Sequence, residues 1–183
     1  MTRCGWVPEG DKLYADYHDI EWGVPLHDDQ KLFEMLILEG AQAGLSWRTI
    51  LGKRDGYKRL FHDFDVARCA SMTDAHLQEI LLDPSIVRNT LKVYSVRKNA
   101  QAYLGVQEQH GSFADYLWSY VDGSPIKNSP LTLAEIPVST DLSDAISADL
   151  KGRGMSFVGT TIIYAYLQAV GLVDDHTQNC FKH

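Results

Sequence analysis

An all-α fold is predicted for this chain on three observations. Apolar residues recur at spacings of three and four, hydroxyl and acidic residues stand where helix N-termini need caps, and no stretch sustains the apolar/polar alternation of a half-buried strand. In chain order, Asp28 is placed to cap a helix through Leu32, Phe33, Met35, Leu36 and Leu38, and Ser46 to start the next at Trp47. Thr73 opens a helix through Leu77, Ile80 and Leu81. Pro84 suits the first turn of a long helix running past Val87, Leu91, Val96 and Tyr103 toward Gly111, because proline lacks only an N–H that would be unpaired there anyway. Ser112 to Asp115 and Thr132 to Glu135 carry the hydroxyl and acid spacing of further N-termini. Residues 128–139, with Pro130 and Pro137, read as an irregular crossover. From Ser143 a helix through Ala145, Ile146 and Leu150 runs into Lys151-Gly152-Arg153-Gly154, then a short turn to Gly159, then an apolar helix from Thr160 through Leu167.

At 183 residues the chain is expected to form one domain, residues 1–183, or two intimate helical lobes with a pocket between them. Its 45% hydrophobic and 22% charged content is that of an ordinary globular protein. The start, Met1-Thr2-Arg3-Cys4-Gly5-Trp6, holds no apolar run of signal-peptide type, and runs such as Met35 to Leu38 are too short to span a bilayer. A cytoplasmic location without a membrane partner is expected. Three cysteines without regular spacing point to reduced thiols or metal ligands rather than disulfides, and Cys69 reads as packing.

The net charge of -7 pulls against a nucleic-acid partner, because phosphate binding needs local cations. Positive charge does gather at Arg88, Lys92, Arg97 and Lys98, and again at Lys151 and Arg153. On composition alone both groups read as solvated helix faces or helix C-termini.

Four soft ligands stand at the chain's two ends: Cys4 and His18, then His176 and Cys180. Cys2His2 is a zinc-type set, and the i, i+4 spacing of His176 and Cys180 lets both reach one ion from a helical turn or tight loop. Four protein ligands leave no open position for water, so such an ion would be structural and would tie N-terminus to C-terminus. Closing a loop longer than about 100 residues is worth on the order of 4 to 5 kcal/mol in the chain-entropy model. Taken singly, the same residues read as small buried cysteines and helix-end histidines, and the Cys4 to His18 spacing fits no standard zinc finger.

The segment from Ser143 to Asp174 holds two helices joined by a glycine-flanked turn. Such a turn lets the backbone approach a phosphate, and the second helix's N-terminus favours an anion. This is the physics of a helix-hairpin-helix DNA-binding element, although an ordinary αα-hairpin has the same outline.

Several motifs, in order, carry a family resemblance: Arg3-Cys4-Gly5-Trp6; Tyr17-His18-Asp19-Ile20-Glu21-Trp22-Gly23-Val24-Pro25; Leu32-Phe33-Glu34-Met35; Leu38-Glu39-Gly40-Ala41-Gln42-Ala43-Gly44-Leu45-Ser46-Trp47; Phe157-Val158-Gly159-Thr160-Thr161; and Gly171-Leu172-Val173-Asp174-Asp175-His176. With these, essentially the whole chain resembles 3-methyladenine DNA glycosylase I. The resemblance implies an all-helical helix-hairpin-helix glycosylase fold with one structural zinc ion joining the termini through Cys4, His18, His176 and Cys180. It implies that Tyr17, Glu39 and Trp47, with Trp6 beside them, hold the excised base, that Glu39 is the catalytic group, and that Gly154, Gly159, Thr160 and Lys92 contact DNA. The implied substrate is double-stranded DNA containing alkylated adenine, the product free 3-methyladenine, and the working unit a monomer.

Residue chemistry fits that reaction. Methylation at N3 puts positive charge on adenine and departure of the base relieves it, so the site needs a pocket that extracts and holds the base more than a strong general acid. Trp47 offers a π face for stacking and cation-π attraction, Glu39 an anion and acceptor, and Tyr17 a polar handle. Without the resemblance, plain core packing is the reading for Trp47 and Tyr17, and a helix-surface acid for Glu39. Gly40, Gly44 and Ser46 beside the acid leave room for a base.

Phe157 stands where many of the wider superfamily have glycine, and Thr90 where a basic residue is expected. No lysine has the context of a Schiff-base nucleophile, which points to a monofunctional hydrolase. Asp174 and Asp175 read as helix-end groups or as partners of a zinc-ligating histidine. Two other classes stay open: a zinc-stapled module that binds damaged DNA without cutting it, and a hydrolase of free nucleosides.

Overall fold

Every α-helix of the chain except the last begins on a side chain that accepts a hydrogen bond from its first turn, and those caps set the architecture. The computed structural model describes residues 1–183. The helices are α1 (Lys12–Ile20), α2 (Asp29–Gln42), α3 (Trp47–Leu60), α4 (Val66–Ala70), α5 (Asp74–Ile80), α6 (Thr90–His110), α7 (Phe113–Ser119), α8 (Asp141–Gly152) and α9 (Thr160–Ala169). The class is mostly helical, as predicted.

Four details differ from the sequence reading. Helices α1 and α4 have no apolar stripe that betrays them; α1 buries only Tyr17 and His18. Helix α6 starts at Thr90 on an Asn89 cap rather than at Pro84, because residues 84–89 run across α3, where Ser85 fills the space beside Gly56 that a Cβ would need. Residues Leu133–Glu135 form only a 3-10 turn, since Thr132 makes no side-chain cap. A two-residue strand, β1 (Ile126–Lys127), pairs in parallel with β2 (Val173–Asp174), too short for alternation to reveal it.

Helix α2 is the centre of the core. Each residue from Leu32 to Ala41 is buried, Glu34 and Glu39 included. Helices α3, α6, α7 and α9 surround it. Its first residue, Asp29, accepts from the backbone N–H groups of Phe113 and Ala114, both at 2.8 Å, and so starts α7 as well. At the far side, Gly171 (φ 74°) ends α9, and a Cβ there would lie 2.4 Å from the backbone of Val24 and Pro25. That contact docks the Trp22-Gly23-Val24-Pro25 motif against the C-terminal segment. No helix is long and apolar enough to cross a membrane.

Candidate functional site

Three arrangements bring the singled-out residues together: a buried cluster where the termini meet, a cavity backed by that cluster, and the hairpin between α8 and α9.

In the cluster, the donor atoms of Cys4, His18 and Cys180 all lie within 4.8 Å of one another and all three residues are buried. His176 sits edge-on to His18 at 5.2 Å between ring centres, and its Nε2 is buried with no hydrogen-bond partner. The remote ring nitrogens are both engaged: His18 Nδ1 lies 2.8 Å from Asp19 Oδ1, and His176 Nδ1 lies 2.6 Å from Asp174 Oδ1. Each carboxylate thereby leaves Nε2 as the lone-pair nitrogen facing the cluster. Two thiols and two such nitrogens, one of them the orphaned buried Nε2 of His176, suit a soft divalent ion held by four ligands. His176 and Cys180 are presented by a tight loop after β2 rather than by a helix. Gly23 (φ 75°) is part of the design, because a Cβ on it would stand 2.5 Å from His176 Cε1.

Aromatic rings carry this cluster into the cavity wall. Trp6 meets His18 edge-on at 5.3 Å, and Trp22 meets His176 at 4.6 Å. Beyond them is a cavity of about 410 Å³. Trp6, Tyr14, Tyr17 and Trp22 line one side, and Trp47, at the start of α3, stands 5.3 Å from Tyr17. Helix α2 contributes Glu39 and Gln42, helix α9 Ala165 and Gln168, and the 133–138 segment closes the rest. Glu39 is 5% exposed and accepts no hydrogen bond from the protein, and burial alone pushes its carboxyl up to about 8. Burial, with Glu39 as the foremost nearby charge, raises the Tyr17 phenol well above its ordinary range. The indole Nε1 atoms of Trp6 and Trp47 are buried without partners. A smaller cavity shares Glu39, Gln42 and Ala165 and extends past Gly44 and Leu45 to Thr161 at the start of α9.

A larger cavity, about 630 Å³, opens behind Tyr17. Its central charges answer one another, Arg54 donating to Glu21 at 2.8 Å and to Glu34 at 2.7 Å. The unpartnered indole N–H groups of Trp6 and Trp47 and the carboxyl of Glu39 gather instead in the 410 Å³ cavity, which is the candidate site.

The hairpin is held rigidly. Asn99 pairs with Ser156 through both backbone groups, at 2.8 and 2.9 Å, and Ser147 Oγ donates to the carbonyl of Val158 at 2.7 Å. Gly154 (φ 95°) makes the turn possible, and Phe157 adopts φ 58°. Gly159 begins α9 with no side-chain cap, so the first N–H groups of that helix are open to an anion. Thr160 Oγ1 is paired with Ser143 Oγ at 2.8 Å. Lys98 and Lys151 line a groove beside the turn.

Lys92 departs from expectation. Its ammonium donates to the carbonyls of Ala41 at 2.8 Å and Ala43 at 2.6 Å, which end α2 without partners of their own. It secures the turn that follows Glu39 rather than facing a phosphate. Arg97 and Arg153 are likewise held, by Asp74 and Asp149. Asp174 touches a cluster histidine, whereas Asp175 instead gathers Asn128, Tyr164 and Gln168.

The sequence reading missed Tyr14, Trp22, Gln42, Gln168 and the 133–138 wall. Gln42 was within reach, since it follows Glu39 at i+3 on one helix face. Gln168 lies three residues after Ala165 on α9, but nothing local shows that this face meets α2.

Residues 6–183 match the family described as methyladenine glycosylase. The chain is 49% identical over 180 residues to DNA-3-methyladenine glycosylase 1 of Escherichia coli (strain K12), covering 98% of this chain and 96% of that protein. It is similar to a crystal structure of 3-methyladenine DNA glycosylase I with a TM-score of 0.95 and 50% identity, over the full length of both chains. A further similar structure, TM-score 0.92 at 37% identity over 94% of this chain and 92% of the other, describes 3-methyladenine recognition by the Staphylococcus aureus enzyme.

Proposed function

The chain belongs to the methyladenine glycosylase family, and from that premise we propose that it hydrolyses the N-glycosidic bond of 3-methyladenine in alkylated double-stranded DNA, releasing the free base and leaving an abasic site. One observation carries the reading: an acid with no protein partner, Glu39, is buried in an aromatic-walled cavity that continues to the uncapped start of α9.

The lesion supplies much of the driving force, because the methylated base is cationic and leaves as a neutral molecule. The pocket's task is to hold it outside the duplex. Trp47 and Tyr17 offer ring faces, and a cation entering the cavity replaces the solvation that Glu39 lacks and draws it to the carboxylate. No lysine lines the cavity, which fits cleavage of the glycosidic bond alone. We read the α8–α9 hairpin as a helix-hairpin-helix element in which Gly154, Gly159 and Thr160 bring the α9 N-terminus to a phosphate, with Lys98 and Lys151 alongside. Cys4, His18, His176 and Cys180 would hold one zinc ion per chain, which supplies a cross-link between the termini and no chemistry in the cavity. Hairpin and cavity both come from one chain, so a monomer suffices.

Incubation with methylated duplex DNA tests the reading. Release of free 3-methyladenine is expected. Retention of the DNA without release would make the protein a damage binder, and turnover of free nucleoside alone a nucleoside hydrolase.

A further inference from the structure

Gln168 is the one cavity-lining amide whose orientation the protein dictates. Its Nε2 donates to Asp175 Oδ2 at 2.7 Å. Asp175 is 1% exposed and accepts two more hydrogen bonds, from Tyr164 Oη at 2.6 Å and from Asn128 Nδ2 at 2.7 Å. A carboxylate accepts and does not donate, so the NH2 end of Gln168 must face Asp175 and the carbonyl end must face away. The backbone is pinned too, because the Gln168 carbonyl accepts from Gly23 N at 3.0 Å across the fold. Oε1 accepts nothing from the protein, yet it is not among the buried unpartnered atoms, so it remains accessible where Gln168 lines the cavity.

We propose that Gln168, fixed by Asp175, is a specificity-determining residue that accepts a hydrogen bond from the exocyclic amino group of the bound base. The inference rests on the glycosylase reading and deepens it. An adenine-type base has an NH2 at position 6, and its two hydrogens serve two acceptors, Gln168 and Glu39. A guanine- or hypoxanthine-type base has a carbonyl there, which would set oxygen against oxygen. Rotating the amide to offer its NH2 would turn Oε1 onto Asp175, so Gln168 cannot adapt to the wrong base. Stacking on Trp47 reads no such difference, because every purine has a π face. Asp175 therefore acts as a positioning residue, and the selection falls to Gln168.

The test compares binding of two free bases by calorimetry, 3-methyladenine and 3-methylhypoxanthine, the second carrying a carbonyl at position 6 and one additional ring N–H, so the comparison is read as the change in their ratio between wild type and variants. Wild type is expected to prefer 3-methyladenine by about tenfold or more, since a site built for a donor leaves its acceptor unpaired against an analogue that lacks one. Gln168→Leu, close in size and without an acceptor, should weaken 3-methyladenine about three- to tenfold and leave 3-methylhypoxanthine no weaker, which reduces the ratio. Gln168→Met provides a second apolar variant if the first fails to fold, with folding checked by thermal melting. Asp175→Asn should also lower the ratio, because an amide at 175 lets Gln168 turn over, whereas a role confined to stability would weaken both bases alike. An unchanged ratio in the folded Gln168 variants overturns the assignment while the glycosylase reading stands. A wild-type protein that neither binds 3-methyladenine nor releases it from methylated DNA overturns that reading, and the inference with it.

Discussion

Gly40 lies so close to Phe157 that a Cβ added to it would stand 3.1 Å from the Phe157 Cβ and 3.2 Å from its carbonyl oxygen. The hairpin turn thus rests directly on the helix residue that follows Glu39, so the element proposed to face a phosphate and the acid proposed to hold the base share one contact. Neither side has slack. Ser156 and Val158 are anchored on both flanks of Phe157, and α2 is buried on all sides.

Gly40→Ala should therefore change activity more than stability. The gain of about 1 kcal/mol from replacing a helical glycine opposes the strain of the tight contact, so the melting temperature should move little. The hairpin must shift by a few tenths of an ångström relative to Glu39, and single-turnover excision from DNA should slow about tenfold, since small misplacements at a reacting centre are costly. Wild-type excision by this variant would show that the two elements are not coupled through Gly40.

Glu39→Gln keeps the shape of the cavity and removes the carboxyl that a cationic base would draw into its ionised form. Binding of a cationic base should weaken by roughly 1.5 to 3 kcal/mol, the worth of a hydrogen bond to a charged group. Stability should respond in the opposite direction with pH. Burial raises the folded carboxyl to about 8, against about 4.3 for an unfolded glutamate. The folded chain therefore holds a proton that the unfolded chain releases. Its stability is full below the unfolded value and falls as pH rises through about 8. Glutamine has no such loss. The melting-temperature advantage of Glu39→Gln over wild type should grow from pH 5 to about pH 8 and level off above it, and parallel curves would refute a buried, uncompensated acid.

Gly159→Val tests the hairpin's role as a phosphate site. A Cβ at Gly159 meets no atom within 4 Å, so the added side chain starts into open space. Its branches would occupy the space before the α9 N-terminus. DNA affinity should drop about tenfold or more, the cost of one charge-assisted contact, while affinity for free 3-methyladenine holds. Equal loss of both in a folded variant would contradict this division of labour.

Cys180→Ser should lower zinc content and melting temperature together, by on the order of 4 kcal/mol if the metal acts as a cross-link of this span. Tryptophan fluorescence should change as well, because Trp6 and Trp22 pack on His18 and His176. Elemental analysis that finds no zinc in the purified wild-type protein would end the assignment.

Much of this molecule is local in origin. The caps at Asp28, Ser46, Thr73 and Ser112 start helices because each side chain reaches an N–H only three residues ahead, a relationship visible in sequence. The cysteine and histidine pairs at the ends, the glycine-flanked turn and the motif around Glu39 are likewise legible, and with them the family resemblance. What sequence could not decide is where side chains point once helices pack. Lys92 looked like a phosphate ligand, but α6 crosses the end of α2, where two unpaired carbonyls draw its ammonium inward. Asp174 and Asp175 are neighbours in sequence, yet one orients a histidine and the other an amide in the cavity wall, because successive residues of β2 and its extension face opposite ways. Burial of Glu39 without a partner is also a tertiary fact. It requires α1, α3, α9 and the 133–138 segment to converge on one turn of α2, and no spacing along the chain encodes the low dielectric they create.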